Sequence, residues 1–163
     1  MLRILLIPFL IPILCFSQQK RPDSSYINEI VREIDKLSKT SSRSFINTKV
    51  IENKKVKETW QHFDNKQLAR IIINYTIDST DYTEEYYFKD GFLIYADENE
   101  VSRYPSLGSD GYSLWGGGFY FSKGKLIAHV TLGHGKSESD DWDPEKEILQ
   151  RLEKRKKELI SLE

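Results

Sequence analysis

The sequence predicts an α+β fold: a curved antiparallel β-meander of about six strands with one N-terminal and one C-terminal helix packed on it. Three observations lead there. A short motif recurs three times in mid-chain, each copy an aromatic residue, a reverse turn and a leucine five places on: Phe63 to Leu68, Phe88 to Leu93 and Phe121 to Leu126. Apolar residues recur at helical spacing on either side of that region, over residues 26–37 and 148–160. The chain has 163 residues, 39% hydrophobic and 30% charged, enough apolar material for one core and too much for disorder.

The start of the chain reads as an export signal. Met1-Leu2-Arg3 supplies a positive segment, Ile4 to Phe16 is an apolar run containing Pro8 and Pro12, and Cys15 and Ser17 are small residues at the −3 and −1 positions of a cleavage site before Gln18. The run is shorter than the ~20 apolar residues of a membrane-spanning helix. Residues 1–17 are therefore read as a signal peptide, 18–23 as a flexible lead-in and 24–163 as a single α+β domain. This domain is exported, to the periplasm or the medium, with no transmembrane segment after cleavage. A lipid anchor on Cys15 fits less well, because Leu14 stands where a small residue is wanted. Cleavage removes the only cysteine, so the exported chain has no disulfide or thiol chemistry.

The elements follow in order. Asp23-Ser24-Ser25 offers capping oxygens to a helix whose stripe is Tyr26, Ile27, Ile30, Val31, Ile34 and Leu37. Ile46, Thr48 and Val50 alternate as a short strand does. Three hairpins then supply strands near 57–63, 67–77, 82–89, 92–97, 118–122 and 125–131. Asp90-Gly91 suits the left-handed dihedrals of a type I′ turn, with Asn65-Lys66 and Lys123-Gly124 in the same role. That turn sets Phe88 opposite Leu93 and Tyr87 opposite Ile94. A long loop rich in serine and glycine, residues 98–117, is expected between the second and third hairpins. Asp143 caps the last helix, Pro144 takes its first position, and Ile148, Leu149, Leu152, Leu159 and Ile160 form its apolar side.

Chemistry is sparse. His129, His134 and Asp141 are the residues nearest to a metal set, yet their spacing matches no zinc motif. The acidic run 138–143 lacks the spacing of a calcium loop. Trp115-Gly116-Gly117-Gly118 precedes a strand rather than a helix, so its glycines are read as a bulge or a tight entry to the hairpin and not as a phosphate loop. No cofactor is implied. The net charge of −1 gives no general attraction to nucleic acid. The basic clusters Lys54-Lys55-x-Lys57 and Lys154-Arg155-Lys156-Lys157 are flanked by acids and read as solvated faces.

The aromatic residues carry the functional reading. Strand alternation puts Tyr86, Phe88, Leu93, Tyr95, Phe119, Phe121 and Leu126 on one face, and Tyr87, Ile94, Tyr120 and Ile127 on the other. Tyr87, Tyr95, Tyr112, Trp115 and Tyr120 are the candidate ligand-binding residues, Trp115 from the long loop. The expected function is a non-catalytic binding or inhibitor-like module for a protein, peptide or glycan of the cell envelope. The alternative is a small hydrolase or metal-dependent enzyme centred on His129, His134 and the acidic 138–143 loop. A subunit whose apolar face is buried in an oligomer is a third reading.

The paired Tyr-Tyr-Phe-x-x-Gly-x-Leu-Ile type hairpins, behind a signal peptide and before a charged helix, resemble a loose group of small exported bacterial proteins of unknown function. The resemblance covers residues 60–160 and rests on Phe88, Gly91 and Leu93 with Phe121, Gly124 and Leu126. It implies an antiparallel sheet with flanking helices and supplies no activity.

Overall fold

The computed structural model describes residues 24–37, 42–51, 53–64, 68–103 and 112–162; the signal peptide and lead-in expected over 1–23 lie outside them. The order is α1 (Ser24–Leu37), β1 (Ser42–Ile51), β2 (Lys54–Asp64), β3 (Leu68–Ile77), β4 (Thr80–Lys89), β5 (Phe92–Arg103), β6 (Tyr112–Ser122), β7 (Lys125–Gly133), a short 3-10 turn and α2 (Pro144–Leu162). The seven strands form one open antiparallel meander in sequence order. The predicted architecture is therefore right, and the seventh strand is the Ile46–Val50 segment, which runs the full length of β2. No helix among the described residues is long and apolar enough to cross a membrane.

Two of the three expected two-residue turns behave as their sequences require; the third, Asn65-Lys66, lies outside the described residues, and Leu68 faces Asp64 rather than Phe63. Asp90 and Gly91 have φ of 51° and 80°, and Lys123 and Gly124 have 48° and 80°, the left-handed pair that fits strand twist. The strands differ from expectation beyond those turns. Each hairpin carries a register shift just after its leucine: Phe88 faces Leu93 but Tyr87 faces Tyr95, and Phe121 faces Leu126 but Tyr120 faces Ala128. The first hairpin shifts likewise, between Asp64↔Leu68 and Phe63↔Arg70. An inserted residue reverses face parity beyond it. So Tyr95 joins Tyr87 and Tyr120 on one face, not Tyr86 and Phe88 on the other.

The long loop also shrinks. β5 runs to Arg103 and β6 begins at Tyr112, paired from Tyr95↔Tyr120 to Arg103↔Tyr112, so most of residues 98–117 is strand. The glycine run Gly116–Gly118 lies within that pairing without a bulge.

The main core lies between the sheet and α2. Trp60, Ile71, Ile73, Tyr86, Phe88, Leu93, Trp115, Phe119 and Phe121 meet Ile148, Leu152 and Leu159. Asp143 Oδ1 accepts the Lys146 N–H at 3.0 Å, the expected cap, while Ile160 faces solvent. On the opposite face α1 sets Ile30, Tyr26 and Ile34 over Tyr87, Ile94, Tyr95, Tyr120 and Ile127.

Three glutamates are buried in the main core, Glu58, Glu84 and Glu98, and a buried arginine meets two of them. Arg155 is 4% exposed, although its basic cluster reads as solvated. It grips Glu84 in a two-point fork (2.9 and 2.6 Å) and donates to Glu58 at 2.9 Å. Lys49 Nζ adds a contact of 2.6 Å to Glu58. Arg151, one turn before Arg155, pairs with Glu98, which also accepts Lys136 Nζ at 2.6 Å. Tyr75 and Tyr86 donate their hydroxyls to Glu84, and the Trp60 indole donates to Glu58. Burial pushes the Glu84 carboxyl up, but the Arg155 fork overcomes this and holds it below the usual carboxylate range.

Removing one partner from such a network leaves a buried charge uncompensated. Arg155→Ala should destabilise the fold by about 3–5 kcal/mol in urea melts. The triple change Glu58→Gln, Glu84→Gln, Arg155→Met should recover most of that loss. Near-wild-type stability of Arg155→Ala would show that the network is dispensable.

Candidate functional site

α1 leaves much of its sheet face open, and on the strands at its margin tyrosine and acidic or amide side chains alternate two residues apart. Along β4, Glu85 precedes Tyr87; along β5, Tyr95 precedes Asp97 and Asn99. Residues two apart on a strand share a face. Each tyrosine therefore reaches its own strand's carboxylate: Tyr87 donates to Glu85 at 2.7 Å and Tyr95 to Asp97 at 2.9 Å. Register then aligns these pairs across strands. Arg70, Tyr87, Tyr95 and Tyr120 form one transverse row, and Ile72, Glu85, Asp97 and Gly118 the next. The tyrosine rings lean on one another at centroid distances of 5.7 and 5.0 Å.

The two facing carboxylates are held differently. Arg70 Nη2 donates to Glu85 at 2.6 Å while its guanidinium sits 4.7 Å from the Tyr87 ring centre. Asp97 receives the Tyr95 hydroxyl and the Asn99 amide, both uncharged donors, and no ion pair among the described residues includes it. Burial dominates, and with Glu85 opposite, Asp97 is held above the ordinary carboxylate range.

The glycines of β6 make room for this arrangement. A Cβ on Gly118 would stand 2.8 Å from the Tyr95 hydroxyl, and one on Gly116 2.8 Å from Asn99 Oδ1. The missing side chains let Tyr95 and Asn99 lie across the neighbouring strand. Gly117 does the same on the other face, beneath the Phe119 and Trp115 rings. Beyond Asn99 the open face continues into a concavity of about 620 Å³, lined by Lys55, Lys57, Thr59, Asn74, Thr76, Asp81 and Thr83 with Tyr75 and Tyr82.

Among the residues expected to bind a ligand, the structure brings Tyr87, Tyr95 and Tyr120 into one row, with Tyr87 largely buried under α1. Tyr112 starts β6, and its side chain lies outside the described residues. Trp115 is in β6, not in a loop, and is 3% exposed. Its ring packs against Trp142 and Lys136 and its indole donates to Ser137 at 3.1 Å, which makes it part of the core beneath α2. The candidate metal residues stand apart in role. His129 stacks against Phe119 and meets Trp142 edge to face, His134 pairs with Glu138 at 2.6 Å, and Asp141 is exposed. Among the described residues no group of three His, Cys, Asp or Glu is placed to hold a metal ion.

Glu85, Asp97, Asn99 and Arg70 are candidate site residues that motif reading passes over. Their signal is the alternation Glu-x-Tyr and Tyr-x-Asp-x-Asn at the outward phase of adjacent strands. Comparison of the chain with protein-family models, curated proteins and solved structures finds no match, so the site rests on its own geometry.

A carboxyl held above its ordinary pKa opposes folding once ionised. That cost is absent below the unfolded value, ~3.9, and present once pH exceeds the folded one. Asp97→Asn should therefore raise stability at neutral pH and leave it nearly unchanged at pH ~3, below that unfolded value. Equal effects at both, in paired denaturant melts, would contradict the assignment.

Proposed function

We propose that this protein is an exported, non-catalytic binding module that takes a glycan strand along the open sheet face. The observation that supports the reading is the Tyr95–Asp97–Asn99 array, laid flat over Gly116 and Gly118 and facing Glu85. An aromatic ring beside carboxylate and amide groups suits sugars, which offer hydroxyl donors at their rims and C–H surfaces at their faces. The adjoining concavity extends the same polar face, with threonine hydroxyls, Asn74 and the two lysines along it. This length favours a chain over a single small ring.

The carboxylates support binding over catalysis because most are already committed. Glu58, Glu84 and Glu98 lie against cations beneath α2, and Glu85 is held by Arg70 and Tyr87. Export rests on the N-terminal pattern of residues 1–17, and the proposed setting is the cell envelope or its exterior.

Glycan-array binding by the exported protein tests this. Tyr95→Phe and Asp97→Asn should each lower affinity for the bound glycans by roughly tenfold, the scale of a lost hydrogen bond to a charged or well-placed group. Gly118→Ala should do the same by displacing Tyr95. If all three variants remain folded and bind as wild type does, or if only protein ligands are captured, the glycan reading fails.

A further inference from the structure

The last strand, β7, ends the sheet, and its outer edge is unpaired among the described residues. The opposite edge strand, β1, carries Arg43 and Lys49, charges of the sort that discourage edge-to-edge pairing. From Leu126 to Gly133 β7 contains no Asp, Glu, Lys, Arg or Pro. Glu145 accepts the Leu126 N–H at 2.8 Å and covers the start of the edge. The stretch Ala128–Gly133 follows it, with Val130 and Leu132 67% and 68% exposed, two residues apart on the face away from α2.

The charges at the two ends of this strand are opposite. Lys123 and Lys125 stand exposed at its beginning; Glu138, Asp140 and Asp141 stand exposed just past its end. An antiparallel neighbour of the same sequence sets each basic end beside the other copy's acidic end, whereas a parallel neighbour sets like beside like.

We propose that two copies of this chain associate by antiparallel pairing of their β7 edges about a two-fold axis at Val130. In that register Val130 meets its own counterpart, and Ala128 lies opposite the second copy's Leu132 on both sides of the axis, a small residue against a large one. The exposed apolar side chains of both copies become mutually covered, and the open backbone groups of Ala128 to Leu132 acquire partners. Short length and the cover from Glu145 limit the pairing, so the dimer is a reversible one. It does not depend on the glycan reading.

Sedimentation equilibrium of the protein across a wide concentration range tests the proposal. Wild type should show a monomer–dimer equilibrium that weakens as salt is raised. Val130→Lys places two like charges at the axis and should weaken dimerisation about tenfold or more; the site is exposed in the monomer, so the fold is spared. Val50→Lys, on β1 and 66% exposed, should leave the equilibrium within about twofold of wild type. A protein that stays monomeric throughout overturns the proposal. So does a Val130→Lys variant that dimerises like wild type, or an equal loss in both variants.

Discussion

The Arg155 guanidinium between Glu84 and Glu58 is the contact on which the arrangement of this molecule turns. Three glutamates on three different strands point into a core that is otherwise apolar. A buried carboxylate without a cation costs several kcal/mol, and a paired one returns little beyond that cost. The network therefore adds less to stability than to uniqueness. Arg151 and Arg155 lie one helical turn apart, so both reach the sheet only when α2 docks in one rotation and one register. A one-residue slip would strand Glu84 or Glu98 in the core. Lys49 and Lys136 bring β1 and the segment after β7 into the same network, which ties the first and last parts of the sheet to one helix.

How much of this was readable beforehand depends on how local the cause is. The second and third hairpins were legible because their turns declare themselves through neighbouring residues: Asp90-Gly91 and Lys123-Gly124 take left-handed dihedrals. The helix ends were legible for the same reason, through Asp143 and Pro144. The bulges at the Ile94 and Ile127 positions were not, since an extra residue leaves no mark in composition and yet reverses the face of everything beyond it. This is why Tyr95 changed sides. The extent of β5 and β6 was hidden by serine, glycine and charge, which read as loop. In this sheet they are strand residues whose small or polar side chains fit the space left by neighbours on each face.

The ion network shows a different limit. Glu58, Glu84 and Glu98 occupy the inward phase of their strands, each two residues from a buried apolar residue: Trp60, Tyr86 and Ala96. Arg155 likewise falls between Leu152 and Leu159 on the apolar side of α2. Periodicity thus marked these positions as buried while residue type marked them as exposed. Base rates favour exposure for any single charged residue. The conflict resolves only when acids and bases are seen to share one interior, and that pairing spans up to 97 residues of sequence.

The same division of labour explains why one face of the sheet is closed and part of the other stays open among the described residues. α2 is held over its face by charge and by core packing, so that face is closed. α1 lies across the strands near one end of the sheet: Tyr26 reaches the Phe121 carbonyl of β6, and Glu29 and Glu33 reach Lys89 of β4. Set in that direction, it covers the turn-proximal rows around Tyr87, Ile94 and Tyr120. The next rows, from Glu85 and Asp97 towards Asn74, lie beyond its reach. Along them, among the described residues, the side chains satisfy one another without a covering element, and the glycines of β6 let Tyr95 and Asn99 lie across the neighbouring strand. The open face therefore follows from a first helix set across one end of a long sheet, with the tyrosine–carboxylate pairs placed where its cover ends.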